Sequence, residues 1–275
     1  MTIKVAKTER SASVFQKSID KEIVELSHKR IEQPQRTVYY KHIHSHCELL
    51  LFFCGDAHYN IDGQVFKPSP YDLIFVPAAT YHYLIPEKSL PYENYVIGFD
   101  PRFIGGEHYR RLFSPPLIIN IRNDVRLMDF FSRFDLYHKQ YEPKDFEACA
   151  SSLVRELCIY CSYHKEDLHS VHSGTLTPID QIVSYISDHL EEPLDAEILA
   201  RHFSFSRSYV QNLFSQNMHI GLKKYIMQKK IYAAHRDLSN GLSPSAVCEK
   251  YGFGDYSSFY RLYRKTFSVS PSKKG

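Results

Sequence analysis

Ala246-Val247-Cys248-Glu249-Lys250-Tyr251-Gly252-Phe253-Gly254-Asp255-Tyr256-Ser257-Ser258-Phe259-Tyr260-Arg261-Leu262-Tyr263 reads as a short helix, a tight turn and a second helix. Gly252 suits a turn that needs positive φ. Asp255 stands where an N-cap accepts backbone N–H groups. Phe259, Leu262 and Tyr263 then recur at helical spacing. A degenerate copy lies upstream, in Ile198-Leu199-Ala200-Arg201-His202-Phe203-Ser204-Phe205-Ser206-Arg207-Ser208-Tyr209-Val210-Gln211-Asn212-Leu213-Phe214. Ala200 answers to Cys248, each small enough for a partner helix to approach, and Ser206 answers to Asp255. Small residue, turn, N-cap and amphipathic helix, in that order, follow helix-turn-helix logic. Working outward, Leu222, Tyr225, Ile226, Ile231, Ala234 and Leu238 trace one long helix between the copies, closed by Asn240-Gly241. Over Leu222 to Leu238 it spans about 25 Å at 1.5 Å per residue.

The charge follows the same division. The 275 residues hold 34 Lys and Arg against 31 Asp and Glu, a formal +3 that argues for no particular partner. Residues 201–275 hold 13 against 3, and residues 1–200 hold 21 against 28. A basic helical module of +10 beside a remainder of −7 is the footprint of binding to a phosphate backbone.

The segment from Ile179 to Pro271 resembles the DNA-binding domain of AraC/XylS-type transcription regulators. Tyr251 to Lys265, ending in Ser270-Pro271, resembles the second-motif signature of that family. Tyr225, Lys230, Ile231 and Ala234 fit its linker helix. Departures are His219 and Ser268 where the family has glycine, Lys230 for arginine and Cys248 for alanine. The aromatic-Arg pair expected after Pro271 is absent. The resemblance implies base readers at Ser208, Gln211 and Asn212, with Arg207 nearby, and at Ser257, Tyr260 and Arg261. Gln and Asn suit adenine, and Arg suits guanine. Arg264 and Lys265 are expected on phosphates. Two helices held apart on one DNA face would read unlike elements in successive major grooves.

The N-terminal part has a different texture. Short β-rich runs fill Thr37 to Phe99: Glu48–Phe53, His58–Phe66 around an Asp62-Gly63 turn, Tyr71–Val76 stopped by Pro77, and Tyr92–Phe99. Asp-Gly between β-formers is a hairpin signal. Such spacing predicts a sandwich or barrel. Beyond Asn120, Val125, Met128, Phe131 and Phe134 recur at helical spacing. So do Phe146, Cys149, Leu153, Leu157 and Tyr160, and Pro143 separates the two helices. Their apolar faces either cover the barrel or form an antiparallel dimer contact. His164 to Pro178 lacks periodicity and reads as a linker.

His42, His44 and Glu48, with Gly55 seven residues later, resemble the first cupin motif, and Pro77-Ala78-Ala79-Thr80-Tyr81-His82 resembles the second. Alternation along a strand would point His42 and His44 into the barrel lumen, with His46 on the same face. Three histidines and a glutamate in cupin enzymes bind a divalent metal, and such a set suits Fe, Mn, Ni, Zn or Cu. Against this, Ala79 replaces the motif's glycine and Pro86 its usual asparagine. The alternative is a metal-free effector pocket lined by His42, His44, His46, Glu48, Tyr71 and His82, and no cofactor is assigned. Tyr39, Tyr71, Tyr81 and Tyr83 add rings suited to stacking on a sugar.

The expected fold is α+β and multidomain. A cupin-like effector-sensing barrel occupies 1–120, a helical dimerisation segment 121–165, a linker 166–178, and an all-α domain with two helix-turn-helix motifs 179–275. The expected function is that of a ligand-responsive transcription regulator, an activator by resemblance. Its expected partners are promoter DNA, a small effector, RNA polymerase and a second copy. No window approaches a membrane span, and no apolar region follows the basic start, so a cytoplasmic protein without membrane contact is expected. Its six cysteines lack framework spacing and read as reduced; the Cys158/Cys161 pair reads as core thiols. The competing readings are a metal-dependent cupin enzyme with a helical appendage and a redox or metal sensor acting through Cys47 and Cys54.

Overall fold

The computed structural model describes residues 11–19, 22–32, 43–86, 90–113, 117–165 and 177–272. Outside the turn at 62–64 they form two compact units divided between residues 165 and 177. His42, Tyr39 and most of the expected linker lie outside the described residues.

In the N-terminal unit, β1 (Ser11–Lys17), β2 (Ile23–Ile31), β3 (Cys47–Cys54), β6 (Asp72–Val76), β8 (Tyr92–Phe99) and β9 (Ile118–Asn120) make a six-stranded sheet in the order β1-β2-β8-β3-β6-β9. Its neighbours pair antiparallel throughout. A second sheet holds β5 (Gln64–Phe66), β4 (Ala57–Ile61) and β7 (His82–Pro86), in the order β5-β4-β7. Asp62 and Gly63 close the β4–β5 hairpin with φ of 47° and 93°, as the Asp-Gly pair predicts. The run Leu49-Leu50-Leu51-Phe52 does not alternate because both faces of β3 are covered. Leu50 and Phe52 meet Tyr59, Ile61 and Leu84 between the sheets. Leu49 and Leu51 face the helices.

Those helices are α1 (Gly106–Phe113), α2 (Val125–Gln140) and α3 (Pro143–Tyr163). The apolar faces of α2 and α3 cover the sheet: Leu127, Phe130, Phe131 and Phe134 with Phe146, Leu153, Val154 and Leu157 share one core with Tyr95, Ile97 and Phe99. The expected stripe of α2 was out of phase at its start. Val125 is 82% exposed, and Leu127 and Phe130 are buried instead. Cys158 and Cys161 are both buried and unpaired, and burial drives both thiols far above the ordinary range. They sit in the core as thiols, as expected. Burial also raises the Cys47 thiol strongly and the Cys54 thiol less.

The C-terminal unit is helical: α4 (Pro178–Asp188), α5 (Ala196–His202), α6 (Arg207–Met218), α7 (Leu222–Ser239), α8 (Pro244–Lys250) and α9 (Tyr256–Phe267). The two halves of α7 bury different neighbours. Tyr225 meets Phe214 of the first motif, ring centroids 5.0 Å apart. Ile231 and Ala234 join Val247, Tyr251, Phe259 and Tyr263 of the second. Between them, the buried Lys230 Nζ donates to the carbonyls of Glu192 (3.0 Å), in the turn after α4, and Tyr251 (2.9 Å), at the end of α8. His219 and Ser268, where the family has glycine, adopt φ of 52° and 61° at the ends of α6 and α9. The left-handed cap is therefore retained without the residue that makes it free of strain. No helix among the described residues is long and apolar enough to cross a membrane.

Candidate functional site

Two sites emerge, one in each unit. In the C-terminal unit the helix starts form as the residues dictate. Ser206 Oγ accepts from the Tyr209 backbone N–H at 3.1 Å and caps α6. Asp255 Oδ1 accepts from the Ser258 N–H at 2.8 Å and caps α9. Those backbone N–H groups hold the Asp255 carboxyl below its usual range. The small residues Ala200 and Cys248 are buried where α5 and α8 meet their partners. Val210, Phe214 and Met218 turn inward from α6, and Phe259 and Tyr263 from α9.

This fixes what each helix shows to solvent. Arg207, Ser208, Gln211 and Asn212 are exposed on α6. Ser257, Arg261, Arg264 and Lys265 are exposed on α9, and Tyr260 is half-buried. Arg261 Nη2 donates to Ser258 Oγ at 3.3 Å. Two further candidates escaped the sequence reading: Tyr209 and Tyr256 lie 43% and 42% exposed in the first turns of α6 and α9. The signal was an aromatic residue just inside each N-cap.

In the N-terminal unit, Glu48 is the second residue of β3, opposite Val76 of β6 and Gly98 of β8. His82 is the first residue of β7, opposite Ile61. The polar cluster thus sits at a strand-terminal end of both sheets, beside the apolar core between them. His44 arrives from the segment before β3 rather than from a strand, so the expected alternation does not apply. Instead, the Ala79 N–H donates to the His44 carbonyl at 2.8 Å and latches the second motif to the first. Ala79 takes φ 58°, so the loop keeps a glycine-like conformation without glycine. His46 stacks on His44 with centroids 3.6 Å apart. It also lies so close over Gly98 that a Cβ there would meet its Cδ2 at 2.9 Å.

The tautomers follow from the carbonyls, which only accept. His44 Nδ1 donates to His46 O at 2.8 Å, and His82 Nδ1 to Thr80 O at 2.9 Å. Both Nε2 atoms therefore turn to Glu48 Oε2, at 3.4 and 3.5 Å. Glu48 Oε1 accepts from the Tyr59 hydroxyl at 3.3 Å. Burial alone would raise the Glu48 carboxyl, but His82 and His44 outweigh it and hold it well below the usual range. Lone pairs on Nε2 facing a carboxylate repel. A cation shared between the rings and the carboxylate would relieve that repulsion. One ligand atom from each of His44, Glu48 and His82 lies within 4.8 Å of the others, a set that fits a divalent metal with nitrogen and oxygen preference. Tyr59 was missed because only pairing across the sheets brings it to Glu48. Tyr71 stands apart from the cluster: it packs on Phe53 and under Arg122, against the helix-facing core, with φ 73°.

Comparison with known proteins agrees with both halves. A family model described as an AraC-like ligand binding domain matches residues 26–157, and a helix-turn-helix domain model matches residues 199–274. The regulatory protein SoxS of Escherichia coli is 26% identical over 95 residues, 34% of this chain and 89% of SoxS. The multiple antibiotic resistance protein MarA of Salmonella typhimurium is 28% identical over 96 residues, 34% of this chain and 76% of MarA. The HTH-type transcriptional regulator YijO of Escherichia coli is 24% identical over 212 residues, 74% of this chain and 72% of YijO. With a β-rich ligand-binding domain ahead of two capped helix-turn-helix motifs, the chain belongs to the AraC/XylS family of DNA-binding transcription regulators.

Proposed function

We propose that the chain is an effector-controlled activator. A small molecule held at the histidine end of the barrel shifts the population between two arrangements of the domains and thereby the occupancy of promoter DNA. The observation that carries the DNA half is the pair of side-chain-capped helices, α6 and α9, presenting polar readers from one basic unit. Ser208, Gln211 and Asn212, with Arg207 beside them, are assigned to one element, and Ser257, Tyr260 and Arg261 to a second, unlike one. Arg264 and Lys265 are assigned to phosphates. The chain would act as a cytoplasmic homodimer through the 121–165 helices, by their outer faces since the apolar ones cover the sheet, and would contact RNA polymerase at the promoter. It would carry no catalytic activity.

Arg261→Ala tests the assignment. It is expected to weaken specific binding by about 1–3 kcal/mol and to relax preference at one base. Measured by titrating the upstream region of its own gene, binding as tight and selective as wild type would place Arg261 off the DNA.

For the barrel, His44, His46, Glu48 and His82, with His42 beside them in sequence, are assigned to the effector. The hydroxyl of Tyr59 and the imidazoles suit a polyhydroxylated molecule such as a sugar. A second reading is favoured by one observation: both imidazole tautomers aim Nε2 at the same carboxylate oxygen. On that reading the effector is a divalent metal. Wild type equilibrated with Ni²⁺ or Zn²⁺ and then desalted should retain stoichiometric metal, and Glu48→Gln should lose it. Wild type that retains none rules the metal out, whereas turnover that depends on His44 would favour a cupin enzyme over a regulator.

A further inference from the structure

The charge of the C-terminal unit is divided unequally between its two reading helices. α6 carries one cation, Arg207 at its first position, and its exposed face continues through Ser208, Gln211 and Asn212. α9 carries Arg261, Arg264 and Lys265, all exposed, and no acid. Of the other cations in the unit, Lys230, Lys250 and Arg236 serve the fold, whereas Arg201 on α5 and Lys223 and Lys224 on α7 are exposed. Lys230 serves two backbone carbonyls. Lys250 and Arg236 pair with Asp237, at 2.9 and 3.5 Å.

The two faces therefore differ in kind. Each phosphate neutralised by a cation releases counterions, which makes binding salt-dependent but carries no sequence information. A side-chain amide on adenine releases no counterion and carries sequence information alone. Arg261 adds a cation already oriented, through Ser258 Oγ one turn back on the same helix.

We infer that the two helices divide the work. α9 supplies the salt-dependent hold on DNA together with one oriented guanidinium. α6 supplies selectivity through neutral amides and contributes little to electrostatic affinity. This rests on the assignment of both helix faces to DNA. It adds that α6 itself reads its element with little charge and that α9 anchors the chain.

The test uses the full chain and a duplex enriched by wild type from a random pool, titrated by fluorescence anisotropy across a salt series. The variants lie on exposed positions, and an unchanged melting curve confirms their fold. Arg264→Ala and Lys265→Ala are each expected to reduce the slope of log K against log salt by about 1, weakening matched and mismatched duplexes alike. Gln211→Ala and Asn212→Ala should leave the slope unchanged and reduce discrimination roughly tenfold, only at bases of one element. Equal loss of slope from α6 and α9 variants, or no loss from α9, overturns the division while leaving DNA reading intact. If wild type enriches no sequence at all, the underlying assignment falls, and the division with it.

Discussion

Phe134→Ala is expected to destabilise the N-terminal unit by about 3–5 kcal/mol. Its ring is fully buried, with centroids 6.2 Å from Phe131 and 6.3 Å from Tyr95, in the core that joins α2 to the six-stranded sheet. Truncation removes the burial of an aromatic ring and leaves a cavity that rigid strands on one side cannot fill. Leu136, on the outer face of α2, is 45% exposed. Leu136→Ala should change stability by less than about 0.5 kcal/mol. Denaturant unfolding of the full chain, followed by circular dichroism, makes the comparison. If both variants cost the same, α2 does not cover the sheet and its apolar face is used elsewhere.

The second large effect centres on His28, whose two ring nitrogens both face carboxylates. Nε2 lies 2.8 Å from Glu93 Oε1, and Nδ1 lies 2.9 Å from Asp135 Oδ1. Arg30 pairs with the other Glu93 oxygen at 2.8 Å, and the Tyr95 hydroxyl donates to Asp135. The cluster joins β2, β8 and α2. Only an imidazolium donates from both nitrogens. Burial alone lowers the His28 pKa, but the hydrogen bonds to Asp135 and Glu93 more than reverse this and leave it above its ordinary 6.5. Burial raises Asp135, but His28 and Tyr95 outweigh it and leave it below its ordinary 3.8.

The signs follow from linkage. The His28 contribution is complete below pH 6.5 and is lost as pH rises through its higher folded value. The Asp135 contribution is complete above pH 3.8 and is lost as pH falls through its lower folded value. Between those limits the cluster stabilises fully. Asp135→Asn should cost about 2–3 kcal/mol at mildly acidic pH, a figure tempered by the partial exposure of the aspartate. It should also flatten the loss of stability on the alkaline side. Melting curves at several pH values decide the matter, and a variant with wild-type pH dependence would remove His28 from this role.

What the residues revealed before any fold was known depended on range. The capped starts of α6 and α9 were legible because an N-cap binds a backbone group two or three residues away. The Asp62-Gly63 hairpin was legible for the same local reason. β1 and β2 were not, because β2 mixes Glu25, His28, Lys29 and Arg30 into its apolar pattern: Lys29 and Glu25 pair with each other, but His28 and Arg30 find Glu93 and Asp135 far along the chain. The Glu48 cluster was half legible. His44, Glu48 and His82 stood out by motif spacing, whereas Tyr59 joins them only through sheet packing and Tyr71 leaves them through its backbone turn. The phase of α2 slipped because Val125 mimics a core residue at a solvent-facing first turn.

One chain is proposed to read two unlike elements on one face of DNA. Sequencing the duplexes that the full chain retains from a random pool tests it most directly. Two short, dissimilar elements are expected, with centres about 10 base pairs apart, one helical turn. A single enriched element, or none, would contradict it.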